Sequence, residues 1–343
     1  MSHPALAAAS LAALFFAAPL AAQSLRYDLR AGPEVILFQS GGLSEHAMAA
    51  RASGGLVLAA RPSERLTLTV QPRAGLRVFA FDTLTSTEVV ADVATSLGSA
   101  ARGRLRWQVY VQGKLRDLSD APALPAYLEP GRAEGWAGAV VSAAVGGGWV
   151  LEARGSAGLV RYTPAEWEVL DRNVTLGALG LVHAIGPGTA RLTLAAGGEG
   201  YSEAVEPAGL ERDDTRWGLR VEWGMRGAIV LQLESGFAWS SSNRVGFDYR
   251  SRRFGLLLST SLGRGSAQLY AAYAAKTYTE LGPPDARVSP SDRDTGSFVV
   301  VQTTHPLGES ISVHVRGEWS RSETGFRDQY FQRLGLSALL SVR

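Results

Sequence analysis

The segment Ile311-Ser-Val-His-Val-Arg-Gly-Glu-Trp319 alternates without a break. Ile311, Val313, Val315, Gly317 and Trp319 share one face of an extended chain, and Ser312, His314, Arg316 and Glu318 share the other, because successive side chains of a strand point to opposite sides. A helical period would scatter both sets around the axis. The same period of two recurs along the chain. From Leu105 to Leu115 one face is Leu105, Trp107, Val109, Val111, Gly113 and Leu115, and the other is Arg106, Gln108, Tyr110, Gln112 and Lys114. Ile229 to Trp239 and Trp217 to Trp223 repeat it.

These runs reach about 12 to 16 residues, well beyond the usual strand of about 5 to 6 in a soluble sheet. A tilted strand crossing a bilayer needs about 9 to 11 residues inside it. Strands are predicted near 24–39, 45–60, 65–81, 86–97, 103–116, 133–145, 149–162 and 172–185. A second half follows near 190–203, 212–224, 228–241, 246–262, 266–279, 293–305, 310–322 and 329–342. The connections alternate in kind. Gly146-Gly147-Gly148, Met225-Arg226-Gly227 and Gly263-Arg264-Gly265 are tight, whereas 117–132, 163–171, 204–211 and 280–292 are long and polar, with 117–132 read as the longest. Short turns on one rim and long loops on the other are the pattern of a transmembrane antiparallel β-barrel, here of about sixteen strands with both termini periplasmic.

Composition agrees. The 343 residues carry 34 basic and 32 acidic side chains, a net charge of +2 and a mean hydropathy of +0.02. Nothing in that balance calls for nucleic acid as a partner. The chain has no Cys, which removes thiol catalysis and Cys-ligated zinc. Residues 5–22 form an Ala/Leu/Phe run that ends in Pro19-Leu20-Ala21-Ala22, so 1–22 reads as a secretory signal peptide and 23–343 as the barrel. Aromatic residues cluster at strand ends beside the long loops. Trp136, Tyr162, Trp239, Tyr249, Trp319 and Tyr330 are expected to form a girdle at the membrane surface.

On these strands, turns and aromatics the sequence resembles bacterial outer-membrane β-barrels of porin size, across essentially all of 24–343. The resemblance is architectural and carries no family motif. The last strand ends Val342-Arg343, where such barrels usually close on an aromatic residue. The resemblance implies outer-membrane lipid as the surround, the barrel assembly machinery as a partner and small solutes as cargo. It fixes no oligomeric state.

Catalytic patterns are scarce. The five His are scattered and no His-Glu-x-x-His spacing occurs, so no metal and no cofactor are expected. Ser240-Ser241-Ser242-Asn243 reads as a polar loop. Lumen charge is more informative. Arg or Lys turned toward lipid at midplane costs about 2–4 kcal/mol, so the charged faces should point inward. Arg73, Arg77, Arg104, Arg106, Lys114, Arg316 and Glu318 are then pore-lining candidates, either selecting anions or merely pairing with one another. In general porins the loop at the position of 117–132 folds into the barrel. By that resemblance Asp117, Asp120 and Glu129 would face the wall arginines. The leading expectation is a passive channel for small polar solutes, leaning toward anions. An export or assembly barrel working with a periplasmic partner is the alternative, and a lipid-modifying barrel enzyme stands behind it.

Overall fold

The computed structural model describes residues 24–40, 43–80, 85–99, 103–119, 131–163, 165–204, 211–280, 296–323 and 330–343. Its strands are β1 (Ser24–Ser40), β2 (Leu43–Ser63), β3 (Leu66–Ala80), β4 (Thr85–Ser99), β5 (Leu105–Ser119), β6 (Arg132–Gly146), β7 (Trp149–Tyr162) and β8 (Arg172–Ile185). They continue as β9 (Gly188–Ala204), β10 (Glu211–Met225), β11 (Ile229–Ser242), β12 (Tyr249–Leu262), β13 (Gly265–Tyr278), β14 (Ser297–Pro306), β15 (Ile311–Glu323) and β16 (Tyr330–Val342). Each strand pairs antiparallel with its sequence neighbours, and β1 pairs with β16 from Leu29↔Val342 to Ser40↔Phe331, closing the ring.

Closure removes the unpaired edges that an open sheet would expose. It also gives the two faces of every strand different surroundings. Val35, Leu179, Leu194, Trp217, Leu336 and Leu340 stand on the outward face and are about half exposed. The residues between them turn inward, and the most buried side chains all have that parity: Phe38, Phe79, Glu34 and Ser341 lie at 0–2% exposure. Two apolar clusters line the inner wall toward the rim of the long loops. One is Ile36, Phe38, Ala47, Ala49 and Phe79, and the other is Val160, Tyr162, Leu170 and Tyr201.

The tight-turn rim also carries the start of β1 and the end of β16. Gly147 (φ 58°) and Gly148 (φ 79°) make the turn between β6 and β7 in a left-handed conformation that a side chain would strain. The strands expected from alternation are all present, and the differences lie at their ends. β12 starts at Tyr249 because Gly246 (φ 84°) breaks the extended chain and the Asp248 carboxylate accepts from the Ser242 N–H at 2.6 Å. β5 runs on to Ser119 and β6 begins at Arg132, which shortens the connection expected at 117–132. Among the described strands, the widest gap in sequence lies between β13, ending at Tyr278, and β14, starting at Ser297.

Candidate functional site

A ladder of ion pairs crosses the inner wall where the chain ends meet. Arg116 Nε reaches Glu88 Oε1 at 2.7 Å, and Arg77 lies between Glu88 Oε2 and Glu34 Oε2, each at 2.8 Å. Arg333 Nη2 bridges Glu34 Oε1 at 3.2 Å and Glu318 Oε1 at 2.8 Å, and Arg316 closes the series on Glu318 Oε2 at 2.8 Å. Four guanidiniums alternate with three carboxylates over β5, β4, β3, β1, β16 and β15. Arg77 and Glu34 meet across β2, whose inward residue beside Glu34 is the small Ala49. Buried charges persist only when paired and hydrogen-bonded, and here each carboxylate serves two arginines.

The opposite wall is balanced in the same way, though more openly. Glu152 takes Arg154 and Arg191, and Arg191 also reaches Glu222. Glu234 holds Arg220 and Arg253, both at 3.4 Å. On the ladder's own side of the barrel, from the level of Arg77 toward the tight-turn rim, lies a basic sector. Arg51 on β2, Arg73 on β3 and Arg106 and Lys114 on β5 face inward and enter no ion pair among the described residues. Arg73 and Lys114 flank Asp92 in register, and Glu45 is the other inward carboxylate on these strands with no ion pair among the described residues, so positive charge is in excess there. Thr67, Thr69, Ser96, Gln108 and Ser142 line a polar recess around Arg106. Across the barrel, the inward residues of β12 to β14 below Arg253 and Lys276 are uncharged, among them Leu257, Ser259, Tyr270 and Gln302. Among the described strands the lumen therefore has one basic side, one neutral side and ion pairs along much of the remaining wall.

The candidates named from sequence divide accordingly. Arg77, Arg316 and Glu318 are locked into the ladder, whereas Arg73, Arg106 and Lys114 belong to the basic sector. Arg104 sits in the exposed turn before β5, where its carbonyl accepts from the Ala144 N–H at 2.8 Å. Asp117 needs correction. With β5 extending to Ser119 it is a strand residue, and alternation after inward Arg116 turns it outward, away from the wall arginines. Asp120 and Glu129 lie outside the described residues, as do residues 1–22.

The aromatic girdle also needs correction. Trp239 and Trp319 stand on the outward face, and the side chain of Tyr330 lies outside the described residues. Trp136, Tyr162 and Tyr249 turn inward. The reason is parity. Trp136 lies against inward Gly158, where an added Cβ would come within 2.4 Å of the indole. Tyr162 packs beneath Trp167, with ring centres 6.4 Å apart. Tyr249 lies 3.8 Å below the Lys276 ammonium, measured to the ring centre. Strand-end position, which the sequence shows, places a ring at a rim without choosing its face.

Two features were missed. The connection between β7 and β8 forms a 3-10 helix, Ala165–Leu170, whose Trp167, Val169 and Leu170 pack on the inward side chains Trp136, Val160, Tyr162 and Tyr201. This segment therefore covers the inner wall at the long-loop rim. Its apolar triplet was a usable signal, because a solvent loop does not need Trp, Val and Leu together. The second is a chain of hydrogen bonds across β14, β15 and β16. His314 Nδ1 lies 2.9 Å from Thr304 Oγ1, and His314 Nε2 lies 2.7 Å from Ser341 Oγ. A serine on a histidine is the geometry of a nucleophile and its base. Here Ser341 is 0% and His314 3% exposed, so the pair is shielded from solvent and links β14, β15 and β16.

No family model matches the chain, and no curated protein matches it. Solved structures do. An anion-selective porin from Comamonas acidovorans aligns at 11% identity and a TM-score of 0.45, covering 93% of this chain and 99% of that one. OmpT of Vibrio cholerae, described as an outer-membrane protein in trimer form, aligns at 8% and 0.46, covering 93% and 100%. OprB of Pseudomonas putida aligns at 9% and 0.44, covering 92% of each. These are likenesses of barrel architecture alone.

Proposed function

We propose that this barrel spans a bacterial outer membrane as a passive channel for small polar solutes, leaning toward anions. The observation that carries it is the sorting of side chains by face. The outward belt is almost wholly apolar between the rims, and a patch of that extent is not sustained in water. The inward face is polar and charged, as in a water-filled β-barrel. Barrels of sixteen strands are wide enough by geometry to keep such a channel. Residues 1–22 are the signal peptide in this reading, and 23–343 the barrel. The tight turns and both termini face the periplasm, with the assembly machinery acting at insertion. The anion preference rests on Arg51, Arg73, Arg106 and Lys114, whose charge is not cancelled by ion pairs.

Planar-bilayer recording tests both levels. The folded protein should give discrete conductance steps with a reversal potential favouring anions. Arg73→Glu with Arg106→Glu should abolish or invert the preference while conductance persists. Silence from folded, inserted protein would sink the channel, and an unchanged reversal potential in the double variant would sink the basic sector alone.

A further inference from the structure

Outward-facing charges among the described strands occur only near the long-loop rim, and Arg252, the fourth residue of β12, lies deepest. Arg250 stands one pleat nearer the rim on the same face. Both are exposed, and neither enters an ion pair among the described residues. Arg161, outward on β7, differs: Asn173, two carbonyls and Asp171 take up its guanidinium. Aromatic rings surround the unpaired pair. Phe237 is opposite Arg252 in register, with the guanidinium 5.9 Å from its ring centre, and Trp239 is opposite Arg250 and next to Trp217.

Two neighbouring arginines on a lipid-facing surface, one of them below the first pleat, repel each other and leave ten N–H donors for an anion to meet there. The anion must come from the membrane side, since inward Tyr249, Ser251 and Arg253 separate the pair from the lumen. Guanidinium forks match phosphate oxygens, and Trp beside them holds the headgroup level of a bilayer. We propose that Arg250 and Arg252, framed by Trp239 and Phe237, bind the phosphate of an outer-leaflet membrane lipid. This rests on the outer-membrane reading above and adds a specific lipid contact to it.

The test uses the full barrel refolded in detergent, with native mass spectrometry reading retained lipid. The probes are bis-phosphorylated lipid A, the same lipid dephosphorylated, and inorganic phosphate as competitor. Retention of the phosphorylated lipid should fall about tenfold in Arg250→Gln/Arg252→Gln, the loss expected for one or two charge-assisted hydrogen bonds. Retention of the dephosphorylated lipid should be weak and the same in both proteins. Unchanged heat-modifiable mobility on a gel would show that the variant is folded. Equal retention by variant and parent, or equal retention of the two lipids, overturns the site. Displacement by millimolar inorganic phosphate assigns the arginines to free phosphate and overturns the lipid as occupant. Separately, failure of the parent barrel to insert into lipid vesicles overturns the membrane reading itself, whereas insertion without phosphate-dependent retention overturns only the site.

Discussion

Glu34 shows most clearly what a single residue does here. Its carboxylate is 2% exposed and holds Arg77 on one oxygen and Arg333 on the other. Replacing it by Gln leaves two buried guanidiniums short of a counter-charge, and breaking a buried pair costs about 3–5 kcal/mol. Glu34→Gln should therefore lower the midpoint of urea unfolding, read by loss of heat-modifiable mobility, while Arg154→Gln on the exposed Glu152 pair should hardly move it. The inward placement of Arg77 was legible in the sequence because alternation fixes parity from immediate neighbours, and the strands place Glu34 and Arg333 on the same face. Their partnership was not legible. Glu34 and Arg333 are 299 residues apart, and only the register of β1 on β16 brings them together. Asp117 shows the converse error, since moving a strand end by three residues changed a loop residue into an outward strand residue.

Among the elements, the 3-10 helix Ala165–Leu170 has the most to do with passage. It packs Trp167 on Tyr162 and sets Leu170, 3% exposed, against the inner wall. A segment between β7 and β8 thus covers the inner wall there. Trp167→Ala should raise single-channel conductance without altering its sign preference, because no charge is changed. If conductance is unaltered, the helix is not part of the narrow passage. The strands themselves were readable because each repeats one binary pattern many times, so local ambiguity averages out. A six-residue 3-10 helix offers only two turns of pattern, and its role depends on which wall it meets. Turns fall between these cases: Gly147 and Gly148 announced themselves by composition, and Gly147→Ala should destabilise by about 1 kcal/mol through its positive φ, measurable in the same urea series.

At the scale of the whole molecule, the proposed anion preference would be the work of a field across the lumen. One side carries Arg51, Arg73, Arg106 and Lys114, and the other at that depth is neutral. Such a field reaches about 10 Å at 0.1 M salt and about 3 Å at 1 M. The anion preference should accordingly fade as salt rises at a constant gradient ratio. A preference unchanged at 1 M would instead require direct contact between solute and wall. Charge balance over the chain hides all of this, since the groups almost cancel in sum and only their positions around the ring make a side. The ladder through Glu34 has one more consequence, which concerns time. Its middle link joins the first strand to the last, so no growing chain can form it until the final residues have emerged. Until then Glu34 lacks Arg333, and the wall between β3 and β15 has an open end. Contacts this distant along a chain form slowly. A chain cut before β16 would keep fourteen of its hairpin pairings in principle and still lack its keystone, so commitment to the folded state is reserved for a complete molecule.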